Sequence, residues 1–225
     1  GVAYYEYAGP CHQVLAEQGY DRPGRLVVGT DSHTCMSGAF GAFGTGIGST
    51  DMLGVLVTGT IWLKVPESIH ILWEGELPPG VYAKDMVLYD CGEIGHAGAT
   101  YMALEYDGRL IHALEMDERM AIANMAVEMG AKIGYIPPDD KTLAYLNSSA
   151  EQEAMLYPDA DAPYLRTYTR DAGALVPQVA CPHNVDNVHP VTQVAGEALT
   201  QVYIGSCTGG RLSDLRTAAQ VVKGK

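Results

Sequence analysis

Short β-branched runs closed by glycine alternate along this chain with longer amphipathic stretches. Residues 25–29 (Arg-Leu-Val-Val-Gly) pass at once into Thr30-Asp31-Ser32-His33-Thr34 and then a Gly/Ala/Phe-rich segment. That pattern predicts a buried strand delivering polar residues to a loop, and in open α/β sheets such strand ends are where ligands bind. Residues 49–64 predict a helix capped by Ser49 or Thr50 and ended by Val65-Pro66. Residues 68–73 alternate Ile69, Ile71 and Trp73 as a strand, with Pro78-Pro79-Gly80 as a turn.

Residues 84–94 are helical in pattern, and residues 101–106 form a further strand ended by Asp107-Gly108. Residues 117–129 predict a helix with Asp117 as cap and Gly130 as stop; residues 132–136 predict a strand before Pro137-Pro138. The polar, proline-punctuated stretch 147–169 changes the texture and is the candidate linker or domain boundary. Beyond it, residues 176–180 and 201–204 read as strands. The second runs into Gly205-Ser206-Cys207-Thr208-Gly209-Gly210-Arg211 and a helix over 212–222. No internal repeat or low-complexity tract interrupts this α/β alternation.

Of the 225 residues, 47% are hydrophobic and 18% charged, enough to bury a core as one large or two modest domains. Twenty-seven acidic against 14 basic side chains give a net charge of −13, and no basic run is longer than a pair. Such a chain is not built to neutralise nucleic-acid phosphates or to sit on an anionic membrane. The longest apolar stretch, residues 52–63, is broken by Gly54, Thr58, Gly59 and Thr60 and falls short of the roughly 20 residues a spanning helix needs. The start, Gly-Val-Ala-Tyr-Tyr-Glu-Tyr, has no initiator Met or signal-peptide pattern and reads as a cut end. Five widely spaced cysteines, an odd number, fit a reduced, cytoplasmic chain.

Reactive side chains collect in a few places. His12 follows Gly9-Pro10-Cys11. Asp31-Ser32-His33 presents a carboxylate and an imidazole at a strand end, as two metal ligands or an acid/base couple; the plainer reading makes Asp31 a turn cap and His33 a loop histidine. Asn124 and Glu128 share one face of the predicted helix, where a buried glutamate needs a partner, although an exposed polar stripe reads equally well. Gly44-Thr45-Gly46-Ile47-Gly48 invites a dinucleotide reading. Ser49 in place of the last glycine, and an apparent loop in front of the stretch, argue against it. Cys207, between a predicted strand and a helix start, has the setting of a low-pKa thiolate. Cys91 and Cys181 read as inert, and His70, His96, His112, His183 and His189 as ordinary surface or loop residues.

Val28-Gly29-Thr30-Asp31-Ser32-His33-Thr34, continued by Gly41-Ala42-Phe43-Gly44-Thr45-Gly46-Ile47-Gly48-Ser49-Thr50-Asp51-Met52, resembles the signature of the aconitase superfamily. The version here is most similar to large subunits of the 3-isopropylmalate dehydratase type. Cys11-His12-Gln13-Val14 resembles the upstream histidine motif. Residues 80–85 (Gly-Val-Tyr-Ala-Lys-Asp) and Ile122-Ala123-Asn124-Met125-Ala126-Val127-Glu128 resemble the middle region. Ile204-Gly205-Ser206-Cys207-Thr208, with Arg211-Leu212-x-Asp214-Leu215-Arg216, resembles the first cluster-ligand motif.

The resemblance implies three-layer α/β/α domains: the end of a first over residues 1–66, a second over 67–166, and the start of a third over 167–225. It implies a hydro-lyase of a malate-type acid, 2-isopropylmalate in leucine biosynthesis, with homoaconitase and 2,3-dimethylmalate dehydratase as sister readings. It further implies a [4Fe-4S] cluster with one iron open to substrate as a Lewis acid. Cys207 would be its first ligand and Ser206 a neighbour able to hydrogen-bond a cluster sulfur. His12 and His33 would lie near the substrate hydroxyl, paired with Asp31 and Glu128 respectively. Ser32 would contact substrate carboxylate, and Asn124 the neighbourhood of the open iron. The proton-abstracting serine would sit on a swivelling domain, here a separate small-subunit partner.

Three departures from the family pattern stand out. No C-x-x-C supplies the other two cluster thiolates, an earlier histidine and aspartate motif is missing before Gly1, and Gly209 stands where many members carry Asn. These imply an internal portion of a large subunit, inactive by itself, whose shortage of cations reflects segments outside it. Two readings of other classes stay open: a mononuclear metal hydrolase using His12, Asp31 and His33, and a non-catalytic remnant or binding module.

Overall fold

The computed structural model describes residues 2–150 and 152–224; Gly1 of the expected cut end, Glu151 of the expected linker and Lys225 lie outside them. The chain opens with α1 (Cys11–Glu17), β1 (Leu26–Gly29), a 3-10 helix (Ser32–Phe40), β2 (Phe43–Gly46) and α2 (Ser49–Thr58). There follow β3 (Ser68–Glu74), α3 (Ala83–Ile94), β4 (Ala103–Asp107), α4 (Arg109–Ala113), α5 (Met116–Asn124), a second 3-10 helix (Met125–Met129), β5 (Ile133–Tyr135) and α6 (Asp140–Leu146). β6 (Arg166–Asp171), β7 (Gln178–Ala180), β8 (Val188–Pro190) and α7 (Leu212–Val222) complete the order. Among the described residues no helix is long and apolar enough to cross a membrane.

Parallel pairing dominates. β1 pairs with β2 from Leu26 against Phe43 to Gly29 against Gly46. The main sheet has the order β5-β4-β3-β6, all parallel, and β7 and β8 form an antiparallel hairpin. Central β3 buries Ile69, Ile71 and Trp73 on one face, as its alternation predicts. They meet Met86, Val87 and Cys91 of α3 and Leu104 and Tyr106 of β4 in the larger core. Helix α3 is closed by a reciprocal cap in which Tyr82 N donates to Asp85 at 2.8 Å. The other oxygen of Asp85 accepts from Gln178 N at 2.7 Å and ties the hairpin to this helix.

A smaller core joins the two halves. Met36, Ala39 and Phe40 of the first 3-10 helix pack on Met116, Met120 and Ala123 of α5 with Ala16 and Leu146. Contact this close needs glycine: a Cβ on Gly38 would sit 2.0 Å from the Gly134 carbonyl oxygen of β5. Ile136 N then donates to Gly38 O at 3.0 Å. Helix α5 is fixed from its other side by Arg119, fully buried, whose guanidinium spans Asp139 at 2.9 and 2.6 Å and the His112 carbonyl at 2.9 Å.

Several expectations change. The helix from Ser49 is capped by Gly48 and stops at Thr58, because Gly59 turns left-handed at φ 69°. The predicted helix over 117–129 starts at Met116 with Glu115 as cap and tightens to 3-10 after Asn124. The Gly44–Gly48 stretch, expected to follow a loop, itself begins inside strand β2 and runs on into α2. Residues 201–204 form no strand. The expected break between 166 and 167 falls inside β6, which is in register with β3 from Ile69 against Arg166 to Glu74 against Asp171. This strand therefore belongs with the sheet of the middle unit, and the connection ends before it.

Gly38→Ala is expected to cost roughly 1–3 kcal/mol through overpacking against the β5 backbone. A urea midpoint lowered with an unchanged slope would show it; an unchanged midpoint would remove this contact as the join between the halves.

Candidate active site and metal-ligating residues

The residues singled out in the sequence come together where the first 3-10 helix meets the end of α5. Asp31 follows β1 and caps that 3-10 helix, its carboxylate accepting from His33 N at 2.7 Å. The plainer reading of Asp31 as a cap is thus correct, and it does not exclude a second role. Its Oδ1 also lies 3.7 Å from His12 Nδ1 and 3.5 Å from His33 Nδ1. Across the gap, Glu128 Oε1 is 3.5 Å from His33 Nε2, and the two imidazole rings are 6.1 Å apart. Exposed Ser32 places its hydroxyl 3.3 Å from His33 Nδ1.

Asn124 and His12 share one partner. Asn124, fully buried at the end of α5, donates from Nδ2 to the Cys207 carbonyl at 3.2 Å, and His12 Nε2 lies 3.3 Å from the same oxygen. Cys35 adds a thiol donated to the Asn124 carbonyl at 3.2 Å, which locks the 3-10 helix to α5 beside the site. Asn124 and Glu128 do not form the uniform helical face expected of them, because the helix tightens between them. Asn124 turns inward, while Glu128 keeps 36% of its side chain exposed and finds its partner in His33.

Cys207 sits in a turn opened by Ser206 at φ 73°. Arg211 holds the turn from behind, its guanidinium donating to Thr208 O at 3.1 Å while Gly210 N and Arg211 N both donate to Asp214 at 2.9 Å. The sequence signal for this hold was the Arg211-x-x-Asp214 spacing of a helix cap. The loop's carbonyl is thereby pinned and its thiol left free, within 4.8 Å of donor atoms on Asp31 and His33. The expected lowering of the thiol pKa does not occur: α7 starts only at Leu212, and burial with the Asp31 carboxylate nearby pushes the Cys207 thiol up.

A thiol free to ligate, beside a buried Asn124 Oδ1 and His12 Nδ1 that both lack hydrogen-bond partners, fits one attachment point of an iron–sulfur cluster with polar groups facing the space around it. All five cysteines are free thiols. Ser32 and Val127 open on one side into a cleft of about 990 Å³, and Glu128 and Thr208 on the other into one of about 580 Å³. Three of the histidines taken as ordinary, His70, His96 and His112, do have carboxylate company. His96 meets Asp186 at 2.7 Å, His112 meets Asp107 at 2.8 Å, and His70 stacks on Tyr164 at 4.4 Å. None of these partners belongs to the group around Asp31.

The two site imidazoles are driven apart. Glu128 beside it raises His33 above its ordinary 6.5, whereas burial lowers His12 below 6.5. Glu128 in turn lies below its ordinary 4.5, because His33 faces it. For a raised histidine the stabilisation is complete below 6.5 and fades as pH climbs through its folded value. For a depressed carboxylate it is complete above 4.5 and fades as pH falls. The His33–Glu128 pair therefore contributes fully between these limits. In an NMR titration His33 is expected to titrate above 6.5 and His12 below it, and Glu128→Gln to lower His33 while leaving His12 in place. A His33 midpoint indifferent to Glu128→Gln would disprove the pairing.

Known proteins share this sequence. The model of the aconitase family (aconitate hydratase) matches residues 2–225. The chain is 54% identical over 224 residues to a "Probable methanogen homoaconitase large subunit" of Methanosarcina mazei, covering 99% of this chain and 57% of the relative. It is 55% identical over 218 residues to "3-isopropylmalate dehydratase large subunit 1" of Methanopyrus kandleri, covering 96% and 52%. A "3-isopropylmalate dehydratase large subunit" of Oleidesulfovibrio alaskensis is 50% identical over 224 residues, covering 99% and 54%. The chain spans about half the length of these curated relatives. A family match along nearly every residue, with identities of half or more, leaves one conclusion: the chain belongs to the aconitase family.

Proposed function

We propose that this chain is part of the large subunit of a hydro-lyase that removes and re-adds water across adjacent carbons of a malate-type acid, with 2-isopropylmalate as substrate. The observation that carries the reading is the opposition of two imidazole–carboxylate pairs, His12 with Asp31 and His33 with Glu128, beside the free thiol of Cys207. Family membership sets aside the mononuclear hydrolase. Homocitrate-type acids are the second reading, favoured by a homoaconitase-named relative as similar as a dehydratase-named one.

His33, kept protonated by Glu128, donates a proton to the departing hydroxide, and Glu128 stabilises the imidazolium until it does. His12, neutral when buried, lies across from it and is oriented by the Cys207 carbonyl on Nε2, with Nδ1 turned toward Asp31. Ser32, at the mouth of the larger cleft, takes a substrate carboxylate. Asn124 positions the Cys207 loop and turns its free oxygen toward the reacting groups, and Ser206, next to Cys207, would hydrogen-bond a sulfur of a cluster held there. Cys207 would hold a [4Fe-4S] cluster through one thiolate, with two further thiolates from segments other than residues 1–225; bound there, the cluster supplies a Lewis acid for the substrate hydroxyl. A small subunit with a swivelling domain brings the serine that takes the substrate proton. The reading places the enzyme in leucine biosynthesis and in the cytoplasm, and divides the chain into the end of one α/β unit, a second, and the start of a third.

The test is turnover of the full-length large subunit with its small subunit, reconstituted anaerobically with iron and sulfide, on 2-isopropylmalate, homocitrate-type and citrate-type acids. Turnover is expected on the first. His33→Asn is expected to lower kcat by roughly 10²–10⁴ with the visible cluster absorption unchanged, and Cys207→Ser to lose that absorption. Failure to incorporate iron and sulfide, or full activity of His33→Asn, would overturn the reading.

A further inference from the structure

Cys11 takes no part in the chemistry above, yet it stands at the first turn of α1 directly before His12. One ligand atom each from Cys11, His12 and Asp31 lie within 4.8 Å of one another. Within this group His12 is 1% exposed, and its Nδ1 has no hydrogen-bond partner. The atom it faces is Asp31 Oδ1, 3.7 Å away.

That distance is too long for a hydrogen bond. It is close to the spacing of two ligands on one ion, since bonds of about 2.0–2.2 Å at a tetrahedral angle separate the donors by roughly 3.4 Å. The other ring nitrogen decides the protonation. His12 Nε2 lies 3.3 Å from the Cys207 carbonyl, an oxygen that can only accept, so Nε2 carries the hydrogen and the neutral ring has its lone pair on Nδ1. A lone pair and a carboxylate oxygen then face each other with nothing between them to attract both. An N–H bonded to a carbonyl on the far side is also the outer-shell contact that metal-bound histidines make.

We propose that Cys11, His12 and Asp31 form a three-ligand site for a divalent, borderline-soft cation of the zinc or ferrous type, separate from the Cys207 thiol. Thiolate, imidazole and carboxylate are the donors such ions take, and the two anionic ligands balance a charge of +2. On binding, the Cys11 S–H releases its proton to solvent as the metal–sulfur bond forms; no oxidation is involved. The second donor group in this region, Asp31, His33 and Cys207, leaves the unpartnered nitrogen of His12 unused, which is why the first group is preferred. Resting on the dehydration reading, one consequence is that an ion here takes His12 and Asp31 out of the reaction and inhibits it.

Cobalt titration of the full 225-residue chain, reduced and anaerobic, tests the site. One equivalent of Co²⁺ is expected to bind with a thiolate-to-cobalt charge-transfer band that zinc displaces. Cys11→Ser should abolish the band and weaken zinc by more than about 100-fold, beyond the loss of an outer-shell partner. Asp31→Asn, which keeps the helix cap, should weaken zinc as well, and Cys207→Ser should leave the band in place. A band that survives Cys11→Ser and disappears in Cys207→Ser would put the ion on the other donor group and overturn the proposal. So would absence of cobalt binding by chain with native circular dichroism. None of these readouts involves turnover, so the dehydratase reading stands or falls apart from them.

Discussion

Everything at the site depends on the approach of the first 3-10 helix to the backbone of β5, where Gly38 meets the Gly134 carbonyl with no room for a side chain between them. Asp31 and His33 are delivered by β1 and the start of that helix. Asn124 and Glu128 are delivered by α5 and the turn after it. These are separate pieces of chain, and only the packing of Met36, Ala39 and Phe40 on Met120 and Ala123 places them face to face. Protein interiors resist small displacements because they are packed like crystals. The distances of 3.5 to 3.7 Å among the imidazoles and carboxylates are therefore a property of the core behind them.

The same packing explains why two histidines 6.1 Å apart behave differently. His12 lies inside the join, 1% exposed, and desolvation is the largest influence on it. His33 lies at the rim, where Glu128 outweighs desolvation and favours its charged form. Two like groups driven in opposite directions by their surroundings are a recurrent way of dividing acid and base roles at one pH. Here the two rings part because one is buried and the other, at the rim, faces Glu128.

The alternation of apolar positions made the parallel sheet readable: β3, α3, β4, β5 and α7 stand within a few residues of where the pattern put them. Short elements without periodicity were not. β2 is Phe-Gly-Thr-Gly, and its strand character comes from pairing with β1 rather than from its own residues. β6 hid in a polar stretch because it is an edge strand with exposed Arg166, Thr167 and Thr169. Site residues showed themselves by type and spacing, and the family motifs named their partners. The hold of Cys35 on Asn124 did not show, since that bond runs between distant segments.

Charge adds the last constraint. His33 and Glu128 cancel when both are ionised, which leaves Asp31 as an uncompensated anion beside two thiols whose deprotonation it opposes. Arg211 lies half-buried behind the Cys207 turn, engaged with Thr208. The site formed by this chain is thus negative or neutral, in keeping with a net charge of −13. A surface of that sign attracts cations and repels a dicarboxylate. The acid substrate proposed above therefore requires added positive charge, which a metal group on the thiols would supply.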